Sequence, residues 1–349
     1  MNKRLFYLVQ FIIVIALVLT ACTPPAAPAA TAAPTATATA TATGPRLTPV
    51  KLSLGYIPSV QFAPFYVAIK NGYFADENID VELENGIETD FLKLLGTDER
   101  QFVVASGEQA ILGRAQGLPI TYVARWYRRF PVVVFAQSSS DIKTPADLVG
   151  KKVGIPGLFG ASYVAWKALV DAAKLPEDKI SLASIGFTQA AAVDQGLVDA
   201  ALDYEVNGPV QLKLAGKSIN VIAVDDYRQI PANGLLTNEA TIANHPELVT
   251  SMVRAFLRGV RFTLDNPDEA FKTSLEFVPE AAKNEATNRA VFDASLGLWQ
   301  PGEGQQLGIS DGAIRSQTAD FMARTGLINQ PVDTSVIWTN RFVEAASTP

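Results

Sequence analysis

Val50-Lys51-Leu52-Ser53-Leu54 and Ile79-Asp80-Val81-Glu82-Leu83 both alternate apolar and polar side chains with the period of two that marks a β-strand. Between them a loop with Pro58 and Pro64 runs into Phe65-Tyr66-Val67-Ala68-Ile69, a helical run that ends at Asn71-Gly72. Glycine adopts the left-handed backbone that closes a helix, so that dipeptide is a stop signal. Two strands joined through a helix make the crossover unit of a parallel sheet. This stretch therefore places the chain in the α/β class.

The pattern recurs on the C-terminal side. Phe102-Val103-Val104-Ala105 reads as a short buried strand, and Gly107 to Ala115 as the helix after it. Ile120-Tyr122-Val123-Ala124 and Val132-Val133-Val134-Phe135 are further strands. A second module opens with the helical turn Thr144-Pro145-Ala146-Asp147-Leu148 and the strand Lys152-Val153-Gly154-Ile155. A helix over 161–173 follows, then strands at Ser184-Ile185-Gly186-Phe187, Ala200-Ala201-Leu202-Asp203 and 218–223. From Glu247 the chain is mostly helical, with Leu248, Met252, Phe256, Val260 and Leu264 at helical spacing. That C-terminal part has too few strands to stand as a lobe. It is expected to pack back on the first one, giving lobe 1 from 50–136 and 236–349 and an inserted lobe 2 over 137–235. Two crossings at one place make a hinge.

The N-terminus is a secretory leader. Lys3 and Arg4 form a short basic start, Leu5 to Leu19 an apolar stretch, and Thr20 and Ala21 the small residues of a cleavage site, so 1–21 is expected to be removed. Cys22, the single cysteine, then stands where a bacterial lipoprotein accepts its diacylglycerol. The alternative is an uncleaved anchor, but the apolar run is shorter than the ~20 residues a spanning helix needs. Residues 22–49 are nearly all Ala, Thr and Pro and cannot build a core. They read as a tether, open to O-glycosylation, with a reach on the order of 30 Å.

Composition removes whole classes of function. Lys and Arg number 29 against 35 Asp and Glu, and losing Lys3 and Arg4 with the leader takes the formal charge from −6 to −8. An acidic chain without a basic cluster argues against a nucleic-acid partner. One histidine, His245, and no cysteine beyond Cys22 leave neither a zinc site nor a serine–histidine pair. His245 precedes Pro246 and belongs to the first turn of a helix. Ala215-Gly216-Lys217-Ser218 fails as a phosphate loop because Gln211 holds the place of the leading glycine. The glycines at 154, 157 and 160 have the wrong spacing for a dinucleotide fingerprint, with Pro156 among them. A carboxylate-pair hydrolase has no motif here. No cofactor is implied.

Three segments in order resemble one family. They are Leu54-Gly55-Tyr56-Ile57-Pro58 with residues 65–74 and 78–83, the run Thr144 to Ile155, and Ala192-Val193-Asp194-Gln195-Gly196-Leu197-Val198-Asp199-Ala200. Together they resemble the thiamine-pyrimidine-synthase-like solute-binding proteins, which include sulfonate and nitrate binders. The resemblance implies a type II periplasmic binding protein fold: two lobes, each a mainly parallel sheet flanked by helices, joined by two crossings. It further implies no enzymatic activity, a small-molecule ligand and delivery to an ABC permease. The lipid site, tether and aromatic-rich cleft resemble, more narrowly, the riboflavin-binding lipoproteins. That implies a monomer on the outer face of the cell membrane that binds riboflavin. A thiamine pyrimidine precursor, formylaminopyrimidine or hydroxymethylpyrimidine, is the alternative, and an extracellular enzyme on the same scaffold the remote one. The eukaryotic relatives that make a pyrimidine depend on histidine and a cysteine-rich segment, which this chain lacks.

Ligands of such folds bind between lobes, at loops after the strands and at helix starts. Those loops carry Tyr56, Gln61, Phe62 and Tyr66, then Asn85, Glu88 and Asp90, then Ser106 and Glu108. Trp126, Tyr127 and Arg128 leave the first lobe. The second lobe offers Phe159, Ser162, Tyr163, Phe187, Asp203, Tyr204, Glu205 and Asn207. Each aromatic has an alternative place in the core. Their number favours a flat, neutral ligand, with carboxylates and amides to orient hydroxyls. Cations are few apart from Arg125, Arg128 and Arg129, whereas a nitrate or sulfonate pocket needs a cation or converging N–H groups. On this reading Tyr56→Ala or Tyr163→Ala weakens binding.

Overall fold

The computed structural model describes residues 47–347. The expected leader, Cys22 and all of the 22–49 segment except 47–49 lie outside those residues. The first strand already begins at Thr48, so the expected tether ends two residues early.

Each lobe holds a five-stranded sheet. The first contains β1 (Thr48–Leu54), β2 (Ile79–Asn85), β3 (Phe102–Ala105) and β4 (Ile120–Arg125). The second contains β5 (Val132–Gln137), β6 (Lys152–Ile155), β7 (Ser181–Ser184), β8 (Ala200–Tyr204) and β9 (Ile219–Ala223). The chain then returns to the first sheet as β10 (Gly234–Asn238). The strand orders are β2-β1-β3-β10-β4 and β7-β6-β8-β5-β9. In each sheet four strands run one way. The reversed strand is the one by which the chain enters from the other lobe: β10 pairs antiparallel with β3 and β4, and β5 with β8 and β9. The two sheets thus have the same topology.

This pairing corrects the expected lobe boundaries. β5, expected in lobe 1, belongs to the second sheet, and the chain crosses at 126–131 and 227–233. An apolar run such as Val132–Phe135 carries no mark of the sheet in which it pairs. The strand expected at 184–187 is Ser181–Ser184; Gly186, at φ 60°, turns the chain beyond it. This strand lies at the sheet edge, half exposed, so it lacks the apolar signal of the central strands.

The helices follow from local chemistry. α1 (Ala63–Lys70) has Pro64 in its first turn and stops at Asn71, with Gly72 at φ 74°. A short α2 (Tyr73–Asp76) leads into β2, and α3 (Glu88–Gly96) and α4 (Gly107–Ala115) follow β2 and β3. In lobe 2, α5 (Gly160–Ala173), α6 (Gln189–Asp194) and α7 (Gly208–Leu214) follow β6, β7 and β8. The C-terminal part supplies α8 (Glu239–Asn244), α9 (Pro246–Asp265), α10 (Pro267–Phe277), α11 (Glu285–Trp299), α12 (Gly312–Arg324) and α13 (Arg341–Ala346). α9 lies on α1, where Phe256 stacks on Phe65 at 4.8 Å. His245 stands exposed between α8 and α9.

One apolar cluster joins Leu52 and Leu54 to Phe65, Phe256, Phe292 and Trp299 on one face of the first sheet. A second runs from Ile111 and Tyr122 through Val134 to Trp166 and Phe321 and so spans both lobes. The C-terminal part, expected on lobe 1 alone, therefore also touches lobe 2, where Arg324 pairs with Asp171 at 3.0 Å. The segment at Ile337–Thr339 pairs beside Tyr122 and covers the edge of β4.

Candidate functional site

The parallel strands of both sheets end at a gap between the lobes. The loop after β1 brings Gly55 to Pro58, and the loop after β2 brings Asn85 to Glu88. The two are pinned together, since Asn85 Nδ2 donates to the Tyr56 carbonyl at 3.1 Å. From lobe 2 come Pro156 and 159–162 after β6, Phe187 and Gln189 after β7, and Asp203, Tyr204 and Asn207 at the end of β8. These residues, with Trp126 and Tyr127 of the first crossing and Asn233 of the second, enclose a cavity of about 310 Å³.

Its floor is rigid and aromatic. Trp126 stacks on Trp299 at 5.7 Å, meets Phe65 edge-on at 5.3 Å and lies against Phe62 and Tyr127. A ring packed on several sides keeps one orientation. The opposite wall is less enclosed. Phe159 and Phe187 are 50% and 57% exposed, and both line the cavity. Phe187 reaches across the gap to Tyr56, edge to face at 5.3 Å. A second link crosses nearby: Gln61 Nε2 donates to Asn207 Oδ1 at 2.8 Å.

Two carboxyls, half-buried Glu88 and buried Asp203, give the cavity its polarity. Glu88 Oε1 accepts from the Ser106 amide at 2.6 Å and from its hydroxyl at 2.7 Å. Its Oε2 has no partner among the described residues, and Glu88 lines the cavity. Burial pushes Glu88 well above the usual carboxyl range, and Glu108 behind it further still, because Glu88 adds its own charge to the burial. Asp203 is raised by burial to about 6, opposed by the amides of Gly208 and Tyr204, which donate to it at 2.9 and 2.8 Å. No lysine, arginine or histidine lines the cavity.

Of the residues singled out from sequence, the structure brings Tyr56, Gln61, Phe62, Glu88, Trp126, Tyr127, Phe159, Ser162, Phe187, Tyr204 and Asn207 to this cavity, with Asn85 and Asp203. Seven others do not line it. Tyr66 lies beneath, stacked on Phe277 at 4.8 Å with its hydroxyl donating to the Ser59 carbonyl. Ser106 and Glu108 form a layer behind Glu88. Tyr163 turns into the apolar interior of lobe 2, and Glu205 pairs with Arg129 at 2.6 Å. Asp90 pairs with Lys93 on the surface, and Arg128 opens on a different cavity. Sequence reasoning missed Ile87, Thr89, Gln189 and Asn233. Ile87 had a usable signal, an apolar residue in a loop that already held two candidates. Asn233 had none, because it enters a reversed strand.

Among the described residues there is no cluster of His, Cys, Asp and Glu suited to a metal ion. Nor is any described helix long and apolar enough to cross a membrane.

Two sheets of one topology, two crossings and a cavity at the strand ends define the two-lobed periplasmic binding protein fold. The periplasmic aliphatic sulphonate binding protein SsuA from Escherichia coli shares it, with a TM-score of 0.68 over 84% of this chain and 92% of that one at 17% identity. Residues 59–270 match the family described as NMT1/THI5 like, and the chain belongs to that family. The riboflavin-binding protein RibY of Chloroflexus aurantiacus is 42% identical over 341 residues, covering 96% of this chain and 97% of that protein. The formylaminopyrimidine-binding protein of Halalkalibacterium halodurans is 32% identical over 241 residues, 67% of this chain and 72% of that protein.

Proposed function

We propose that this protein is the membrane-tethered solute receptor of an ABC importer, capturing riboflavin between its lobes and passing it to a permease. The observation that carries this reading is the cavity wall itself. Tyr56, Phe62, Trp126, Tyr127, Phe159 and Phe187 present rings, and no cation stands among them. A flat, uncharged ring system gains burial and stacking there, whereas a sulfonate or nitrate finds no counter-charge. Glu88 Oε2 and Asp203 supply acceptors for hydroxyl or N–H groups of the ligand. The 42% identity to a riboflavin-binding protein over nearly the full length supports the same ligand.

A pyrimidine precursor of thiamine is the second reading. It is favoured by the formylaminopyrimidine-binding relative and by a volume at the small end of ligand pockets. In either case the protein binds and releases without turnover, as a monomer. Cys22 carries the lipid that holds it at the outer face of the membrane, and the residues from 23 up to the first strand at Thr48 serve as the tether.

Riboflavin fluorescence titrated with purified protein tests the ligand. Saturable quenching at one flavin per chain is expected. No quenching, with binding of a formylaminopyrimidine by calorimetry, replaces riboflavin with the second reading. Tyr56→Ala and Phe187→Ala should each weaken binding by roughly tenfold or more, the worth of one buried ring contact. Tyr163→Ala should leave affinity unchanged, because its ring does not reach the cavity.

A further inference from the structure

The arginine group at 125, 128 and 129 takes no part in the cleft. It opens instead on a second cavity of about 210 Å³, joined there by Arg315 from α12. The walls come from three places: the first crossing, residues 229–232 of the second crossing, and the C-terminal segment around Ser310 and Trp338.

Four guanidinium groups converge here in a chain of net negative charge. Their own partners leave much of that charge uncompensated. Among the described residues, Arg129 is the one of the four that forms an ion pair, with Glu205. Arg125 donates to the neutral amide of Gln305 at 3.0 Å. Arg315 donates to the Ser310 carbonyl and lies over the Trp338 ring, while its buried Nε has no partner. Arg128 is exposed and makes no side-chain hydrogen bond or ion pair among the described residues. Of the two acids in the wall, Asp311 caps α12 by accepting the Ala313 amide and attracts Arg315, and Asp225, raised mainly by burial, attracts Arg129, which leaves Arg125 and Arg128 without an acidic partner among the described residues. Planar guanidinium forks aimed at one small cavity are the usual protein partners of a tetrahedral oxyanion.

We propose that this cavity is a second ligand site, for a small oxyanion of the phosphate or sulfate type, held between the two crossings by Arg125, Arg128 and Arg315. It lies apart from the ring-lined cleft and does not depend on which solute the cleft takes. Because both crossings line it, an occupant bridges the two segments on which the lobes turn.

Calorimetric titration of the purified protein with inorganic phosphate, and separately with sulfate, at low ionic strength tests the site. Saturable binding of one anion per chain is expected, weakened about tenfold or more in Arg128→Ala. Arg128 is exposed and unpaired, so that variant should fold normally, which circular dichroism checks. Absence of binding up to millimolar anion overturns the proposal. So does anion binding that survives Arg128→Ala and, in a second variant, Arg125→Ala unchanged, since it then lies elsewhere.

Discussion

The Ser106 hydroxyl carries one hydrogen and lies within hydrogen-bond distance of two carboxyls, Glu88 Oε1 at 2.7 Å and Glu108 Oε1 at 2.8 Å. It can donate to only one, so the other must carry a proton and donate to it. Glu88 already accepts the Ser106 amide, which favours charge on Glu88 and the proton on Glu108. Both side chains are held above the usual carboxyl range by burial, so the folded protein keeps protons that the unfolded chain has released. Stability from this pair is therefore full below the unfolded value of about 4.5 and declines as pH rises towards about 8. The limiting slope is about 1.4 kcal/mol per pH unit for each proton retained. Glu108→Gln keeps a donor for the hydroxyl and removes one titrating group. Its melting temperature should fall less steeply than that of the wild type between pH 5 and 8. Parallel melting curves for the two proteins would count against the shared proton.

Gly234, where the chain re-enters the first sheet as β10, shows how one element can be set by its neighbours. A Cβ there would lie 2.1 Å from Tyr122 Oη and 2.3 Å from the Ala124 carbonyl. The Tyr122 hydroxyl is itself engaged, within hydrogen-bond distance of the carbonyls of Ala232 and Asn233, each at 3.1 Å. Gly234→Ala should cost about 3 kcal/mol or more, because the obstructing carbonyl belongs to the next strand. Gly312→Ala, at a helix start with open space around it, serves as the control within about 0.5 kcal/mol. Urea unfolding of both variants gives the comparison, and equal midpoints would refute it. The same strand marks where sequence reading stops. β1 and β2 were legible because their polar–apolar alternation is strong and Asn71-Gly72 ends the helix between them. Gly234-Leu235-Leu236-Thr237-Asn238 has a glycine, a bulge at Leu235/Leu236 and a polar end, so neither periodicity nor composition marks it. The candidate site divides in the same way. Residues that follow parallel strands could be placed at the cleft from strand order alone. Asn233 lies at the same end only because β10 runs backwards. Rotation of side chains towards or away from the gap, which separates Ser162 from Tyr163, depends on helix packing that spacing alone does not resolve.

At the scale of the molecule, Gln61–Asn207 and the Tyr56–Phe187 edge contact reach across the cleft, while the shared apolar clusters and the Arg324–Asp171 pair join the lobes elsewhere. Gln61 and Asn207 are 5% and 9% exposed, so their hydrogen bond is buried when the lobes meet. Asn207 Nδ2 leans on Asp203 at 3.4 Å, which orients its carbonyl oxygen towards lobe 1. If Gln61 is removed, that oxygen is left unpaired in the closed arrangement and becomes hydrated once the lobes part. The cost therefore falls on closure and not on the folding of either lobe. A penalty of about 1–3 kcal/mol corresponds to a shift of roughly 5- to 150-fold towards the open form. Gln61→Ala should widen the distribution of distances between spin labels placed on the two lobes in ligand-free protein. It should weaken cleft-ligand binding by a similar factor, since ligand contacts must then make up for the lost link in driving closure. The melting temperature should change by only a degree or two, because water replaces the lost partner when the lobes are apart. An unchanged distance distribution would mean that the lobes are held by something other than this bond. A large fall in melting temperature would place Gln61 in the folding core instead of the latch.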